Sequence, residues 1–287
     1  MNPERHQFRH LERLRVRWVE VDLQRIVFNG HYLMYLDTAV AGWWRAMAMP
    51  YQETMAGLSG DLYVRKATLE YLGPARYDEQ LAVGVRTQRL GNSSMVLQGA
   101  VFRGDELLVH GELVYVFADP ATMRSQPLPT PLRDLLLAFD ADQAMVDLRC
   151  GDWSTLGAQA RAIRQQVFVQ EQRIPAALEW DQADAGALHA LAVNRLGLAV
   201  ATGRLLVCEP GVGRIGRMVV LPSLRGGGLG RRVPQALVAA ARTRGDRQLM
   251  LHAQASAVEF YLRAGFVPQG PVFEEAGIAH QEMVLAL

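Results

Sequence analysis

Three consecutive glycines, Gly226–Gly228, separate two strongly apolar stretches of the sequence. Residues 217–222 (RMVVLP) have the pattern of a short strand, and residues 233–244 (VPQALVAAARTR) have the pattern of a helix. Arginines flank the glycines on both sides in residues 224–232 (LRGGGLGRR). A helix N-terminus leaves backbone N–H groups unpaired, and glycines let an anion approach the backbone closely. The sequence therefore predicts a strand–loop–helix unit that binds a pyrophosphate group.

The chain is long enough for two domains, since its 287 residues are about twice the length of a typical domain. Residues 118–134 (ADPATMRSQPLPTPLRD) hold four of the thirteen prolines, which interrupt helices and strands alike. The segments on either side have different patterns, and no internal repeat relates them. We therefore expect one domain at residues 1–130 and a second at residues 131–287.

The first half combines one long helix with several strands. Apolar residues recur at three- and four-residue spacing over residues 30–49, which predicts a helix buried on most of its faces. Residues 14–22 (LRVRWVEVD) have the pattern of a strand. Four further strand-like segments are residues 62–72, 80–90, 94–103 and 106–118. The expected arrangement is an α+β domain in which a curled antiparallel sheet wraps a long helix.

The second half alternates helices and strands, which is typical of a mixed α/β sheet. Helices are predicted over residues 157–172, 228–244 and 256–265. Strands are predicted over residues 187–194, 197–207, 213–221, 247–253 and 280–287. The glycine loop thus lies between a central strand and the longest helix of this half.

The glycine loop differs from two common phosphate-binding loops. It has no lysine for a Walker loop, and glycines at 226, 228 and 230 do not give the Rossmann spacing. Arg225, Gly228 and Gly230 instead give R-x-x-G-x-G, which resembles the acetyl-CoA loop of the GNAT acyltransferases. A flexible glycine turn without a ligand is the alternative interpretation.

A second motif follows about thirty residues later, in residues 253–266 (AQASAVEFYLRAGF). Tyr261, Gly265 and Phe266 give Y-x-x-x-G-F, which resembles the next signature of the same family. Gln254 stands where members usually carry asparagine. The likeness extends over nearly the whole second half and is similar to the ElaA-type branch of GNAT proteins.

This resemblance implies that the second half transfers an acyl group from acyl-CoA to an amine, of unknown identity. Tyr261 would protonate the departing CoA thiolate. The amine also needs a base, and Glu171, His189 and His280 are open candidates. The residues that would bind CoA are Met218 and Val220 on the strand and Arg225, Gly226, Gly227, Gly228, Leu229, Gly230 and Arg231 in the loop.

A third motif precedes the long helix of the first half, in residues 22–33 (DLQRIVFNGHYL). It resembles the D-x-x-G-I/V-V-aromatic pattern of hotdog acyl-CoA thioesterases of the 4-hydroxybenzoyl-CoA type. The usual glycine is Arg25 here, the usual aromatic or histidine is Asn29, and the usual asparagine is His31. The matching residues are Asp22, Ile26, Val27, Phe28 and Tyr32.

The resemblance implies a hotdog fold with Asp22 as the catalytic carboxylate and the Asn29 backbone N–H as the group that polarises the thioester carbonyl. The alternative is that Asp22 makes only local hydrogen bonds before the helix. The family forms its site between two subunits, so a homodimer or tetramer through this domain is expected.

Composition excludes several other classes of function. The net charge is +1, which does not favour a nucleic-acid partner. The two cysteines, Cys150 and Cys208, are far apart, which argues against a disulfide scaffold or a metal site. The charged N-terminus lacks a signal peptide, and no apolar stretch is long enough for a membrane span. We therefore expect a cytoplasmic protein with acyl-CoA as substrate, no metal, no nucleic acid and no membrane partner.

Together these motifs predict a bifunctional protein that handles acyl-CoA. The hotdog half would hydrolyse a thioester, and the GNAT half would transfer an acyl or acetyl group to an amine. In the alternative, only the GNAT half is catalytic and the hotdog half is a dimerising or CoA-binding regulatory module.

Overall fold

The computed structural model describes residues 2–275 and 277–287. It divides into two compact units: unit 1 ends at Met145 and unit 2 begins at Val146. Each unit has a sheet of its own. The expected α+β first part and mixed α/β second part are confirmed, and the division lies later in the chain than the boundary expected at residues 130/131.

In the described residues, unit 1 consists of a five-stranded antiparallel sheet and three helices. The strands are β1 (Leu11–Arg15), β2 (Asp61–Tyr71), β3 (Gln80–Leu90), β4 (Ser94–Arg103) and β5 (Glu106–Ala118). The helices are α1 (His31–Ala46), α2 (Tyr51–Gly57) and α3 (Thr130–Asp140). The strand order β1-β3-β4-β5-β2 makes β1 and β2 the edge strands.

Helix α1 packs on the sheet and forms the centre of the unit 1 core. Leu36 of α1 is 0% exposed. A Cβ atom added at Gly99 of β4 would lie 2.5 Å from the Leu36 Cδ2 atom, so glycine allows the helix to approach the strand closely. Trp43, two turns further along the same face, is also fully buried. The helix ends at Ala46, a little before the predicted end, and Pro50 follows within a few residues.

The first strand lies earlier than predicted. Residues 14–22 were expected to be extended, whereas β1 ends at Arg15 and residues 18–20 form a tight 3-10 turn. The Glu20 carboxylate accepts hydrogen bonds from the Arg17 backbone N–H and the Tyr35 hydroxyl, both at 2.7 Å. These bonds stabilise the turn and override the alternating strand pattern.

The proline-rich residues 118–134 pack on unit 1. The Gln126 N–H donates to the Phe117 carbonyl at 2.9 Å, and the Leu128 N–H donates to the Asn92 carbonyl at 2.7 Å. These bonds align the segment with the end of β5 and the β3–β4 turn. The prolines therefore end regular structure without ending the unit.

Helix α3 then adds an apolar face to the same core. Leu132 and Leu136 are buried, and the Phe139 ring lies edge-on to Trp43 at 6.2 Å. The Arg9 guanidinium lies over the Phe139 ring at 4.4 Å. This packing explains why unit 1 extends past the predicted boundary.

In the described residues, unit 2 has a seven-stranded mixed sheet. The strands are β6 (Val146–Gly151), β7 (Leu188–Asn194), β8 (Ala199–Glu209), β9 (Val212–Val220), β10 (Gln248–Gln254), β11 (Val267–Glu275) and β12 (Ile278–Ala286). The helices are α4 (Trp153–Arg164), α5 (Ala176–Glu179), α6 (Leu229–Arg244) and α7 (Val258–Leu262). The strand order is β11-β12-β10-β9-β8-β7-β6.

Strands β9 and β10 are the parallel pair of this sheet, and they separate. Residues 212–214 of β9 pair with residues 248–250 of β10. The pairing ends there, although β9 continues to Val220 and β10 continues to Gln254. In the separated part of β9, Arg217 has φ 52, a left-handed conformation that interrupts regular strand geometry. The separation opens a cleft between the two strands.

Two parts of unit 2 differ from the sequence expectation. The helix predicted over residues 157–172 is α4 followed by a π-helical segment, Gln165–Glu171. The edge strands β6 and β11 were not predicted. The π-helical segment shifts the direction of its side chains, and such segments are frequent at functional sites.

The packing of α1 predicts a large difference between two leucines of the same helix. Leu36→Ala is expected to lower the free energy of unfolding by about 2–5 kcal/mol, because it leaves a cavity under a fully buried side chain. Leu33→Ala is the matched control, since Leu33 is 41% exposed. Urea unfolding followed by circular dichroism measures both, and equal losses would contradict the described packing.

Candidate functional sites

The cleft between β9 and β10 contains two cavities of about 480 and 460 Å³. The loop cavity is the one that Arg225, Gly226, Gly228 and Gly230 line. The strand cavity is the one that Arg214, Gly216 and His252 line. Both cavities are lined by the same five junction residues: Gln172, Met218, Gln254, Ala257 and Tyr261. The two cavities therefore meet at this junction.

The glycine loop is open at the N-terminus of α6. Gly226 and Gly228 both have φ 84, and a Cβ atom on either would meet nothing within 4 Å. Backbone conformation rather than crowding therefore requires glycine here. Among the described residues, no hydrogen bond uses the N–H of Gly226, Gly228 or Gly230. These three donors and the helix N-terminus face a cavity, an arrangement that suits an anion.

Arg225 is already engaged by a carboxylate. Its Nη1 and Nη2 atoms donate to the two Glu171 oxygens at 2.6 and 2.7 Å, and its Nε donates to the Val220 carbonyl at 3.2 Å. Glu171, a candidate base from the sequence, is thus half of a two-point ion pair. Both side chains remain partly exposed, so water and ions reach the pair.

The other predicted loop residues divide into two groups. Arg231 lines the loop cavity, as do Met218 and Val220 on β9. Leu229 is buried and anchors the first turn of α6 in the core. The Gly227 N–H donates to the Leu224 carbonyl at 3.4 Å, so this glycine closes the turn rather than facing the cavity.

Tyr261 lies at the junction of the two cavities. It belongs to α7, is 7% exposed, and packs edge-on against Phe260 and Phe266. Burial raises the pKa of its hydroxyl to about 12, so the phenol is protonated at neutral pH. A protonated hydroxyl at this position can donate a proton to a leaving group in either cavity.

The structure separates the histidines that the sequence could not rank. His189 is 1% exposed, its Nε2 lies 2.9 Å from the Asp184 carbonyl oxygen, and it lines neither cavity. Burial lowers its pKa and keeps it neutral. His280 lines the strand cavity. His252, which sequence reasoning missed, lines the same cavity from β10.

A network of six charged residues supports the wall of the strand cavity. Asp181 pairs with Arg204 at 2.6 Å and with Arg217 at 3.0 Å. The hydrogen bond from Arg204 lowers the pKa of Asp181 to about 2. The remaining members are Arg164, Glu179 and Asp184. Three positive and three negative groups balance, so this wall carries no net charge.

In unit 1 the Asp22 loop is closed by its own backbone. The Asp22 N–H donates to the Ile26 carbonyl and the Arg25 N–H donates to the Asp22 carbonyl, both at 2.9 Å. Asp22 Oδ1 accepts the Gln24 N–H at 2.8 Å. Arg25 has φ 62, the left-handed conformation that glycine favours. Arginine therefore adopts a glycine-like shape at the position where the thioesterase pattern has glycine.

Asn29 lies immediately before α1, with its backbone N–H unused. Among the described residues, no hydrogen bond uses the N–H of Asn29 or Gly30. The Asn29 carbonyl accepts the Tyr71 hydroxyl at 3.2 Å, and the Phe28 N–H donates to the Glu20 carbonyl at 2.9 Å. The start of α1 thus presents two free donors on a segment that is fixed on both sides.

Glu20 is a supporting residue that sequence reasoning missed. Burial alone would raise its pKa, but hydrogen bonds from the Arg17 backbone and the Tyr35 hydroxyl hold it below the usual value. It is therefore an ionised carboxylate two residues before Asp22 in the chain. Apolar side chains nearby in the sequence are exposed: Leu23, Phe28, Leu33 and Met34. Tyr71, whose hydroxyl contacts the Asn29 carbonyl, is exposed as well.

Two further features are absent from the described residues. No group of three or more His, Cys, Asp or Glu side chains could hold a metal ion in residues 2–275 and 277–287. Over the same residues, no helix is long and apolar enough to cross a membrane.

The strained conformation of Arg25 predicts a stabilising substitution. Arg25→Gly is expected to raise the free energy of unfolding by about 1 kcal/mol, because glycine has no Cβ to clash at φ 62. Arg25→Ala is the control, since alanine keeps the Cβ and removes the charge. Urea unfolding of the two variants checks this, and an equal gain from alanine would indicate that charge, not strain, matters.

Comparisons with known proteins match the two units separately. Residues 24–115 match the family model described as thioesterase superfamily, and residues 157–287 match the one described as acetyltransferase (GNAT) domain. The chain is 36% identical over 123 residues to uncharacterized N-acetyltransferase YjcF of Bacillus subtilis, which is 42% of this chain and 86% of that protein. It is 30% identical over 117 residues to acyl-CoA thioester hydrolase YbgC of Escherichia coli, which is 40% of this chain and 87% of that protein.

Solved structures match one part of the chain at a time. The PA5185 protein from Pseudomonas aeruginosa matches with 29% identity and a TM-score of 0.43, over 47% of this chain and 94% of that one. By the family models and the curated relatives, the chain belongs to the thioesterase superfamily in its first half and to the GNAT acetyltransferase family in its second half.

Proposed function

We propose that the protein acts on acyl-CoA with both units, by acyl transfer to an amine in unit 2 and by thioester hydrolysis in unit 1. The observation that carries the transferase proposal is the meeting of the two cavities at Met218 and Tyr261. One cavity has an anion-binding loop at its far end, and the other has room for an acceptor.

The pyrophosphate of CoA would bind the free N–H groups of Gly226, Gly228 and Gly230 at the start of α6. Arg231 lines the same cavity and adds a positive charge. Arg225 would exchange its Glu171 partner for a phosphate. This exchange is accessible because the ion pair is partly exposed, and exposed pairs contribute little stability.

The pantetheine arm would run along the free edge of β9. Pairing with β10 has ended before Met218, and both Met218 and Val220 line the loop cavity. The Val220 carbonyl accepts a hydrogen bond from the Arg225 Nε. The next backbone N–H along the chain, that of Leu221, donates to the Val200 carbonyl on β8. The Val220 backbone therefore faces the cleft, where an amide of the arm can replace a strand partner.

This binding mode brings the thioester to the junction of the cavities. An unprotonated amine in the strand cavity would attack the thioester carbon, forming the C–N bond as the C–S bond breaks. The Tyr261 hydroxyl would protonate the departing thiolate, and its burial keeps that proton available. The chemistry uses CoA as a substrate and assigns no step to a metal.

A substitution in the loop tests where CoA binds. Gly228→Asp is expected to weaken acetyl-CoA binding at least tenfold, because it strains φ 84 and faces the phosphates with a carboxylate. Gly197→Asp is the matched control, since Gly197 has φ 79, open space around its Cβ position, and lines neither cavity. Isothermal titration calorimetry with acetyl-CoA measures both. Equal affinities for the two variants would contradict the proposed loop site.

For unit 1 we infer a thioesterase site at the Asp22 loop and the start of α1. The backbone N–H groups of Asn29 and Gly30 have no partner among the described residues and would polarise the thioester carbonyl. Asp22 would activate water or attack the carbonyl carbon, since among the described residues only its Oδ1 accepts a hydrogen bond and its Oδ2 remains available. The contacts of Glu20 with the Tyr35 hydroxyl and the Phe28 N–H would hold this arrangement in place.

The same surface supports assembly through unit 1. Edge strand β2 is largely exposed over residues 64–71, and Phe28, Leu33 and Met34 are exposed beside the proposed site. An exposed edge strand and apolar surface favour pairing with a second copy. We therefore propose a homodimer, or a tetramer built from it, in which the partner completes the acyl-binding site.

Asp22→Asn separates hydrolysis from binding. Amine-independent thiol release from a panel of acyl-CoAs is expected to fall about 100-fold or more, because the carboxylate is lost while the loop shape is kept. Asp37→Asn, at an exposed position of α1, is the control. Wild-type release that Asp22→Asn leaves unchanged would favour the second candidate function, in which unit 1 only dimerises the chain or binds CoA.

Both cysteines are free and exposed, and we infer a reducing, cytoplasmic location from them and from the use of CoA. The shapes of the two sites determine which acyl chain and which amine fit. Assays with a panel of acyl-CoAs and a panel of amines would define both.

A further inference from the structure

His252 occupies a position in the strand cavity that the proposed transfer does not yet use. It lies on β10 two residues before Gln254, and alternation along a strand places both side chains on one face. Gln254 belongs to the junction of the two cavities. His252 is therefore about 7 Å along the strand from the point where the thioester would lie. An amine nitrogen in position to attack the thioester carbon covers about 3 Å of that distance, and one water can bridge the rest.

The imidazole of His252 is held from three neighbouring strands. Its Nδ1 lies 3.0 Å from a Glu275 oxygen on β11 and 3.0 Å from the Arg214 Nη2 on β9. The Phe273 ring packs edge-on against it at 4.8 Å. On β12, Glu282 lies 3.8 Å from Nε2, and His280 lines the same cavity. These are the charged and titratable groups that face the ring.

The two contacts at Nδ1 require different tautomers, because Glu275 only accepts a hydrogen bond and Arg214 only donates one. The tautomer that can act as a base has its proton on Nδ1, donated to Glu275, with the Arg214 guanidinium beside the ring but not bonded to Nδ1. Nε2 then keeps its lone pair, and Glu282 lies 3.8 Å from it. Burial would raise the pKa of Glu275, but its contact with His252 lowers it overall, which agrees with an ionised carboxylate beside the ring.

Resting on the proposed transfer, we propose that His252 is the base that removes the proton from the acceptor amine, directly or through one water. Glu275 is the positioning residue that fixes the ring and stabilises its charged form. His252 Nε2 first takes one proton from the ammonium and releases it to solvent, which frees the nitrogen lone pair. As the C–N bond forms, the nitrogen loses a second proton to Nε2 or to water. The thiolate that leaves when the C–S bond breaks takes the Tyr261 proton, and the phenolate then regains a proton from solvent or from the charged imidazole.

The acceptor would reach this base over Gly216. Gly216 lies on β9 between Arg214 and Met218, and a Cβ atom there would meet nothing within 4 Å. It lines the strand cavity and not the loop cavity. Glycine thus leaves the floor of the acceptor route open beside His252.

Charge favours an acceptor that arrives as an ammonium ion. With neutral histidines, Arg214, Glu275 and Glu282 give a net charge of −1 around His252, and the opposite wall is balanced. Such a site attracts cationic amines but cannot use them until a proton is removed. A site that attracts the acceptor as a cation therefore also needs a base, and His252 would supply it.

The test compares two kinds of nucleophile in the full chain carrying Asp22→Asn, so that unit 1 does not contribute thiol release. Alkylamines (putrescine, tyramine and lysine) are protonated at neutral pH and need a base. Hydroxylamine is mostly unprotonated at neutral pH and does not, and its uncatalysed reaction with acetyl-CoA is subtracted from each measured rate. With acetyl-CoA as donor, His252→Gln is expected to slow transfer to the alkylamines about 100-fold and to leave transfer to hydroxylamine close to wild type.

Further variants distinguish a base from a structural histidine. With the alkylamines, the rate of His252→Gln is expected to keep rising with pH as the fraction of unprotonated amine rises, whereas the wild-type rate levels off at lower pH. Glu275→Gln should give a smaller loss that is again selective for alkylamines, with the KM for acetyl-CoA unchanged. Gly216→Leu should block the larger amines while preserving acetyl-CoA binding. His6→Gln, at an exposed position of unit 1, is the control.

Equal losses with both kinds of nucleophile, or no loss with alkylamines, would overturn the assignment. A selective loss in His280→Gln instead of His252→Gln would also overturn it. If the parent chain binds acetyl-CoA but transfers to neither nucleophile, the proposed transfer itself fails, and the role of His252 fails with it.

Discussion

The early end of pairing between β9 and β10 is the constraint on which the unit 2 site depends. Three residue pairs join the parallel strands, and beyond Arg214 they diverge. An unpaired strand edge inside a protein is costly unless something satisfies it. Here the free edge of β9, the glycine loop and the face of β10 all open into one cleft. Binding, proton donation and proton removal can then be assigned to three walls of the same space.

The two units use one physical device in different ways. In unit 2, unpaired N–H groups at the start of α6 face a cavity suited to a pyrophosphate. In unit 1, unpaired N–H groups at the start of α1 lie beside a carboxylate loop. The first would bind a charge that is always present, and the second would stabilise a charge that develops during reaction. Left-handed residues, Gly228 and Arg25, shape the loops in both cases.

The sequence predicted what depends on short, local patterns. The strand–glycine–helix unit, Tyr261 and the Asp22 loop were each predicted from a motif of only a few neighbouring residues. Strand β11 was missed because Pro268, Gly270 and Pro271 break its pattern, and an edge strand tolerates them. The prediction of a strand over residues 14–22 was wrong because a hydrogen bond from the Arg17 N–H to the Glu20 carboxylate stabilises a turn there.

Long-range pairings were beyond the sequence. Arg225 and Glu171 are separated by more than fifty residues, and nothing local signals that they form a two-point ion pair. His252 was visible as a strand residue, but alternation cannot tell which face of β10 borders a cavity. Its position became clear only when β9 was seen to diverge from β10.

The most direct test of the account is a crystal structure of the full chain with a thioether analogue of acetyl-CoA, which cannot be cleaved. The pyrophosphate is expected on the N–H groups of Gly226, Gly228 and Gly230, with Arg225 released from Glu171. The sulfur is expected between Met218 and Tyr261, at the junction of the two cavities. An analogue that binds outside the β9–β10 cleft, or with its sulfur remote from Tyr261, would contradict it.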